Sequence, residues 1–219
     1  MTNQTTSTHQ IVEEFFGDAA PLVEQIGSAE GLAALGAAVS SQPLRRVMDL
    51  ASLRRFLFDY RSQILLPLEL PAICRAHTHA SRSEIRELIE LDRRLAREPL
   101  LENFATASQR VGKMQLKKLR PLRDQRLVQR YLRAVQAGDA HGWHTLVYGV
   151  ILSLYSLPLR QGLLAYARQT TRGFIGAAAG HLRLSQAQCD DLEDQVGSNF
   201  ADVVNSTLAG ICQTRLSPG

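Results

Sequence analysis

Residues 144–155 read HTLVYGVILSLY, and this stretch decides the fold that the sequence predicts. Apolar side chains fall on most faces of a helix with this sequence, so we expect a buried helix at the centre of the domain. The turn signal Ala137-Gly138-Asp139 precedes this helix, and Leu157-Pro158 ends it. Pro158 then begins a long helix to about Gly180, whose small residues allow neighbouring helices to approach closely.

The segments before the central helix also have helical spacing. Ser52 is positioned to cap a helix that Pro67 ends, and Pro71 can open the next one as its first residue. Ser81 with Glu84 forms a capping-box pattern, which predicts the start of a further amphipathic helix. This part of the chain is therefore predicted to be helical.

Similar signals continue toward the C-terminus. A helix is expected from about residue 100 to 119, and Pro121 is expected to begin another. Ser185 with Gln188 predicts the cap of a last helix that reaches roughly Cys212. The sequence contains no alternating β-branched run with a hairpin turn, so no sheet is predicted.

The fold class predicted from these signals is all-α. We expect a single-domain bundle of about eight to ten helices over residues 11–215, preceded by a disordered tail at residues 1–10. The chain has 219 residues, 45% of them hydrophobic and 21% charged, which is enough apolar material for one sizeable core. No apolar run reaches the ~18–20 residues of a membrane-spanning helix, and no signal-peptide pattern is visible. Three widely separated cysteines suit a reducing compartment, so the predicted location is the cytoplasm, without membrane contact.

Charge is unevenly distributed along the chain. Residues 1–40 carry five acids and no Lys or Arg, a net charge of −5. Residues 41–133 have a net charge of +10, and residues 134–219 have a net charge of −1. This pattern is typical of a protein that meets charged partners.

The basic charge is densest between residues 110 and 133, where nine Lys or Arg residues accompany a single acid, Asp124. The nine are Arg110, Lys113, Lys117, Lys118, Arg120, Arg123, Arg126, Arg130 and Arg133. Three interpretations stay open: a solvated helix face, a surface for an acidic protein, or a nucleic-acid site. Only Tyr131 lies among these residues as an aromatic that could stack on a base, which makes nucleic acid the least favoured.

The residue patterns of familiar catalytic and metal sites are missing from the sequence. There is no phosphate-binding loop and no nucleophile elbow. His77 and His79 are two apart, so on a helix they point in different directions. The acids at 190–194 suit the first turns of a helix rather than acid–base catalysis. We therefore expect no enzyme activity, no cofactor and no metal site.

Several motifs, taken in order, resemble the UreF family of urease accessory proteins. The best of them is His144–Gly149 (HTLVYG), and the order and spacing hold over about residues 20–215. The other motifs are Gly27–Leu32, Ser52–Leu57, Leu68–Pro71, Leu163–Tyr166, Ala177–Ala179 and Leu184–Gln186. The chain departs from the family pattern at Ala33, at Gly180-His181 and in the C-terminal segment, which indicates a divergent member.

The resemblance implies an all-α, usually dimeric scaffold without enzyme activity. Such a scaffold would bind UreD (also called UreH) and recruit the GTPase UreG, so that nickel enters apo-urease. The partner-binding residues expected from it are Glu30, Tyr148, Tyr166, Arg168, Arg172 and Asn205. The alternative function is a helical nucleic-acid-binding regulator that uses the basic residues 110–133.

Two structural expectations accompany this interpretation. Arg168 and Arg172 are four residues apart and therefore share a helix face, which we expect to be exposed and to meet the GTPase. The homodimer is expected to form near the small-residue helix through a surplus of apolar side chains. These side chains are Leu163, Leu164, Phe174 and Ile175.

Overall fold

The structure, a computed structural model, describes residues 47–214. All regular secondary structure in this range is helical, which confirms the predicted all-α class. The α-helices are α1 (Leu50–Tyr60), α2 (Leu70–Ser81), α3 (Ile85–Leu95), α4 (Glu102–Lys118), α5 (Arg126–Ala137), α6 (His144–Leu154), α7 (Leu159–Leu182), α8 (Gln186–Gly197) and α9 (Phe200–Thr214). A π-helical segment, Arg61–Glu69, joins α1 to α2, and a 3-10 turn, Pro99–Leu101, precedes α4.

Some of these helices are continuous with one another. The first rod runs unbroken from Leu50 to Ser81, and only two residues separate α8 from α9. The described residues therefore form 7 separate rods, slightly fewer than the eight to ten helices expected. The expected tail at residues 1–10, and the start of the expected domain over 11–215, lie outside the described residues.

The first rod differs from its sequence-based prediction at two points. Its N-cap is Asp49, whose carboxylate accepts a hydrogen bond from the Ser52 amide at 2.7 Å, so Ser52 is the third helical residue and not the cap. Pro67 does not end the helix, because it lies inside the π-helical segment. A proline clashes with the carbonyl four residues earlier in an α-helix, and the wider π turn relieves that clash. Pro71 is the second residue of α2.

Three further helix boundaries can be compared with those predicted from the sequence. Ser81 is the last residue of α2 and its hydroxyl donates to the Thr78 carbonyl, so the expected capping box with Glu84 is wrong. Pro121 lies in the turn before α5, which begins only at Arg126. The capping box of Ser185 with Gln188 is confirmed, although the helix that follows ends at Gly197 and α9 continues the rod.

Helix α6 occupies the centre of the described structure, as the sequence predicts. Every residue from His144 to Leu152 is buried, and α6 packs mainly against α2 and α4. The contact with α2 is close because position 149 is glycine. A Cβ atom there would lie 2.5 Å from the Ile73 carbonyl oxygen, which real Cβ atoms do not approach. Gly149 is therefore required for this distance between α2 and α6.

The entry to α6 is fixed by a buried carboxylate on α3. Asp92, fully buried, accepts hydrogen bonds from the Tyr131 hydroxyl at 2.6 Å and from the backbone amides of His141 and Gly142 at 2.5 and 2.9 Å. Three donors compensate the carboxylate for its lost hydration. The hydrogen bonds also join α3 and α5 to the turn that leads into the central helix.

Between residues 47 and 214, none of the helices combines the length and the apolar composition that a bilayer crossing requires.

Candidate functional site

A buried carboxyl group lies at the end of the π-helical segment. Glu69 is 7% exposed, and its carboxyl oxygen accepts a hydrogen bond from the Tyr60 hydroxyl at 2.5 Å. The Tyr166 hydroxyl on α7 is buried near the same carboxyl group, without a hydrogen bond to it. A carboxyl group is rarely buried without a cation, so Glu69, like Asp92, is an unusual group for the described core.

The π-helical segment is what brings Tyr60 and Glu69 together. In an α-helix of 3.6 residues per turn, residues nine apart are separated by about two and a half turns and lie on opposite faces. A π-helix has i→i+5 hydrogen bonds and more residues in each turn, so nine residues come closer to two full turns. Tyr60 and Glu69 can therefore lie on the same face of one continuous rod. The pair is therefore not visible in the sequence at the α-helical period of 3.6 residues.

Three aromatic rings extend the cluster into the central helix. His144 stacks on Tyr148 and on Tyr166, with ring centroids 6.1 and 6.0 Å apart, and the two tyrosine rings are 5.4 Å apart. The Tyr148 hydroxyl donates to the Gly162 carbonyl at 3.1 Å. We call Tyr60, Glu69, His144, Tyr148 and Tyr166 the buried polar cluster.

Burial shifts the pKa values in this cluster in the direction that favours neutral side chains. Loss of hydration raises the pKa of Glu69 to about 7, although the hydroxyls of Tyr60 and Tyr166 partly oppose the rise. Loss of hydration lowers the pKa of His144 to about 3. The pKa of Tyr148 rises for the same reason. His144 is therefore neutral at physiological pH, and Glu69 is the one member of the cluster that changes charge near neutrality.

Two of the residues expected to bind partners belong to this cluster. Tyr148 is 1% exposed and Tyr166 is 0% exposed, so neither side chain reaches the surface of the described structure. Their place in the motifs HTLVYG and LLAY reflects packing around Glu69 and His144. Their position in the most apolar part of the sequence already indicated burial, while the link to Glu69 depends on residues far apart in the chain.

Arg168 and Arg172 lie together on α7, but their surroundings differ from the expectation. Both are half-buried rather than exposed. The Arg172 Nε donates to the Glu193 carboxylate on α8 at 2.5 Å, and Glu193 is 19% exposed. The acid at position 193 was interpreted from sequence as helix capping, whereas the structure makes it the partner of Arg172. This ion pair fixes α8 against α7.

The remaining predicted binding residues are placed as follows. Asn205 is exposed on α9, and its side-chain oxygen accepts a hydrogen bond from the Arg160 Nε at 2.9 Å. Glu30 lies outside the described residues. Arg172 meets α8 through Glu193, whereas Asn205 meets the first turn of α7 through Arg160, so the three residues are spread along α7 and the helices packed on it. We call these three residues the α7–α9 surface.

The prediction that α7 carries a surplus of apolar side chains for dimerisation is wrong. Leu163, Leu164, Phe174 and Ile175 are 0 to 7% exposed within one chain. Phe174 packs edge-on against Phe56 and Tyr60, with centroids 5.0 and 4.7 Å away. These side chains form the core of the domain and leave no apolar surplus. The homodimer itself stays a prediction.

The nine basic residues between 110 and 133 are all exposed, on α4, on the turn at 119–125 and on α5. We call these nine residues the basic face. Tyr131, the aromatic that a nucleic-acid site would need, is 0% exposed and donates its hydroxyl to Asp92. It cannot stack on a base, which disfavours the nucleic-acid alternative further and leaves the exposed basic residues as its remaining support.

Potential metal ligands are dispersed in the described part of the chain. No three His, Cys, Asp or Glu side chains within residues 47–210 form a group that could hold a metal ion. The Nδ1 atom of His79 lies 2.8 Å from the Glu84 carboxylate, so this histidine is engaged in an ion pair or hydrogen bond.

Comparison with known proteins assigns the family. A search of curated proteins found none that matches this chain. The family model for UreF matches residues 47–193, which is more than half of the chain. The matched range contains the π-helical segment, the central helix and the whole buried polar cluster. The chain therefore belongs to the UreF family of urease accessory proteins.

Proposed function

We propose that this protein is a scaffold for urease maturation, which binds UreD (UreH) and recruits the GTPase UreG so that nickel is inserted into apo-urease. Membership of the UreF family carries this proposal, because that family consists of urease accessory proteins rather than enzymes. The family match alone does not name the partners, so UreD, UreG and the nickel-loading step are parts of the proposal. A homodimer in the cytoplasm is proposed with it.

The α7–α9 surface is the proposed contact region for the partners. Arg168 and Arg172 place two guanidinium groups on one side of α7, and Asn205 adds an exposed amide on α9. Guanidinium groups form strong, directional hydrogen bonds with carboxylates, which suits recognition of an acidic protein surface. Glu30 is proposed as a further contact. Tyr148 and Tyr166 are proposed to act indirectly, because their rings pack α6 against α7.

The test is reconstitution with the urease proteins of the same organism. The affinity-tagged chain is co-expressed with UreD and UreG, and we expect UreD to copurify and UreG to join when UreD is present. Urease subunits are then added, and the nickel content of purified urease is measured by mass spectrometry with and without this chain. Nickel-loaded urease in equal amounts without the chain, or a failure to capture UreD, would overturn the proposal.

A further inference from the structure

The partner contacts proposed above do not involve the basic face. All nine Lys and Arg residues of this face are exposed, and one acid, Asp124, lies among them. Within residues 47–210, none of the six arginines of the face forms an ion pair with a carboxylate. Positive charges at this density repel one another, so the basic face is suited to an anionic partner.

Helix α3 shows how an ordinary solvated face of this protein is composed. Its exposed charged side chains carry both signs, and they include Arg86, Glu87, Glu90, Arg93 and Arg94. Opposite charges on one helix compensate one another in water. The basic face lacks this mixture, since it has nine positive residues to one acid. Solvation of a helix face therefore does not account for its composition.

The basic face is built on a fixed framework. The arginines of α5 lie opposite its buried side, which contains Val128. The Gln129 side-chain amide donates to the carbonyls of Arg120 and Leu122 at 3.1 and 3.0 Å. These two hydrogen bonds tie the turn between α4 and α5 to the first turns of α5.

Helices α4 and α5 also meet at Gly142. A Cβ atom at this position would be 3.2 Å from the Lys113 Cγ and from a Val135 Cγ, so the aliphatic part of the lysine packs against the chain there. Lys113 as a whole is nevertheless exposed. The positive groups of α4 and α5 are therefore positioned relative to one another before a partner binds, which lowers the entropy cost of binding.

An apolar side chain stands among these charges. Met114 on α4 is 44% exposed, next to Lys113 in the chain and one helical turn from Lys117 and Lys118. Among the described residues, the other exposed large apolar side chains are Met48, Phe58 and Leu100. Methionine and arginine are both enriched in protein–protein interfaces, and the flexible thioether adapts to the surface of a partner. The combination therefore indicates a protein partner.

We propose that the basic face binds an acidic segment of another protein, whose carboxylates pair with the arginines and lysines and whose apolar side chain covers Met114. Guanidinium groups form strong hydrogen bonds with carboxylates. Nucleic acid offers phosphates but no flexible apolar side chain, and Tyr131 is buried and cannot stack on a base. A membrane surface requires a wider apolar area than one methionine provides. An acidic protein segment thus satisfies both parts of the face.

Two synthetic peptides test both parts of this proposal with the full chain. One peptide consists of Glu-Glu-Leu repeats, and the other has the same length with every leucine replaced by serine. Fluorescence anisotropy of the labelled peptides measures the dissociation constants at about 50 mM salt. We expect the wild-type chain to bind the leucine peptide about fivefold more tightly, because only this peptide can cover Met114. Raising the salt to about 300 mM should weaken the binding of both peptides.

Met114→Ser tests the apolar contact without a change of charge. This variant should bind the two peptides equally, and its affinity for the serine peptide should equal that of the wild type. The matched control is Met48→Ser, since Met48 is 75% exposed and lies outside the basic face. The control should keep the fivefold preference for leucine. Together, the two peptides and the variants form a double-mutant cycle for the contact at Met114.

A charge-reversal variant tests the arginines. Arg126→Glu with Arg130→Glu and Arg133→Glu should weaken the binding of both peptides by about tenfold, which equals about 1.4 kcal/mol. The matched control reverses three exposed arginines elsewhere, Arg55, Arg75 and Arg183, and changes the net charge by the same amount. The control should bind both peptides nearly as the wild type does. Circular dichroism of both variants checks that they are folded.

Several outcomes would overturn the proposal. Equal binding of the two peptides by the wild type would remove the role of Met114, and unchanged binding by the charge-reversal variant would remove the role of the face. Binding of a DNA oligonucleotide more tightly than the leucine peptide at about 150 mM salt would assign the face to nucleic acid. Cosedimentation of the wild type with phosphatidylserine vesicles, lost in the charge-reversal variant, would assign it to a membrane.

A second copy of this chain is a further possible occupant of the basic face. Sedimentation that shows a wild-type dimer and a monomeric charge-reversal variant would assign the face to that copy and overturn the proposal. None of these measurements contains a urease protein, so their failure leaves the scaffold proposal unaffected.

Discussion

The Tyr60 hydroxyl donates a hydrogen bond of 2.5 Å to the carboxyl group of Glu69, and both residues belong to one continuous helical rod. Burial raises the pKa of Glu69 to about 7, while an unfolded glutamate titrates near 4.5. The folded protein therefore binds a proton that the unfolded chain releases between these two values. Through this internal group, the stability of the fold is coupled to pH.

We expect the Glu69 contribution to stability to be fully present below pH 4.5 and to be lost as the pH rises to about 7. Within that interval the free energy of unfolding should fall by about 1.4 kcal/mol per pH unit on account of this group. Glu69→Gln mimics the protonated side chain and should abolish the loss. Urea denaturation across this range measures the difference from wild type. Glu87→Gln, an exposed position on α3, is the control, and parallel curves for wild type and Glu69→Gln would contradict the prediction.

His144 should give a pH dependence of opposite sign. Burial lowers its pKa from 6.5 to about 3, so the unfolded chain binds a proton that the folded protein does not. Its contribution to stability is present above pH 6.5 and is lost as the pH falls toward 3. His144→Phe keeps a ring between Tyr148 and Tyr166 and removes this titration. Relative to wild type, its free energy of unfolding should therefore increase as the pH falls from about 6.5 to 4.5, by about 1.4 kcal/mol per unit. A constant difference would refute the assignment.

Gly149→Ala should destabilise the fold by forcing α2 and α6 apart. The added methyl group would lie 2.5 Å from the Ile73 carbonyl oxygen and 2.9 Å from the Ala76 Cβ, and the backbone atom cannot move aside alone. Such overpacking costs about 1–3 kcal/mol. Gly180→Ala provides the control, because no atom lies within 4 Å of its added Cβ. That change should raise the melting temperature, since alanine favours a helix over glycine by about 1 kcal/mol. Equal melting temperatures for the two variants would be inconsistent with this packing.

Arg172→Glu should weaken the fold as well as the proposed docking of UreG. The change places two carboxylates together at the Glu193 site, where a half-buried ion pair now joins α7 to α8. Because the pair is partly hydrated, the expected loss of stability is about 1 kcal/mol. The double variant Arg172→Glu with Glu193→Arg should recover the stability by restoring the pair in reverse.

The double variant separates the two roles of Arg172, which are the ion pair with Glu193 and the proposed contact with UreG. If this guanidinium also contacts UreG, the reversed pair should be stable but still fail to capture UreG in the presence of UreD. Adding Arg168→Glu should reduce capture further, by tenfold or about 1.4 kcal/mol. Wild-type capture by the reversed pair would exclude Arg172 from the docking surface. Thermal melting and pull-down of the same samples provide both readings.

Local sequence patterns predicted the helices well where packing follows a regular period. In α3, Leu88, Leu91 and Leu95 are buried at the spacing of one helix face, which confirms the amphipathic helix predicted there. Boundaries were less predictable, because two signals competed for the same residues. Ser81 matches a capping box, yet its hydroxyl bonds to the Thr78 carbonyl within the preceding helix. Ser81 could have capped α3 or ended α2, and the packing of the folded chain selects the second of these local structures.

The buried polar cluster could not have been assembled from sequence alone. Its members come from α1, the π-helical segment, α6 and α7, and the distances between them depend on how these elements pack. Glu69 stands in an apolar run, which gives a weak indication of burial, but nothing local identifies Tyr60 as its donor. The pairing of Arg172 with Glu193 has the same origin, since each residue has an ordinary role within its own helix.

The π-helical segment determines the angular relation between the two ends of the first rod. Replacing one wide turn by α-helical turns would rotate every residue after it by roughly the 100° that one residue contributes to an α-helix. Either Tyr60 would then lose Glu69, or Ile73 would turn away from Gly149, because one straight helix cannot satisfy both contacts. Deleting a single residue between 61 and 69 would therefore rotate α2 about the axis of the rod, in addition to shortening the rod slightly. In this molecule, the winding of residues 61–69 therefore determines which face α2 presents to the central helix.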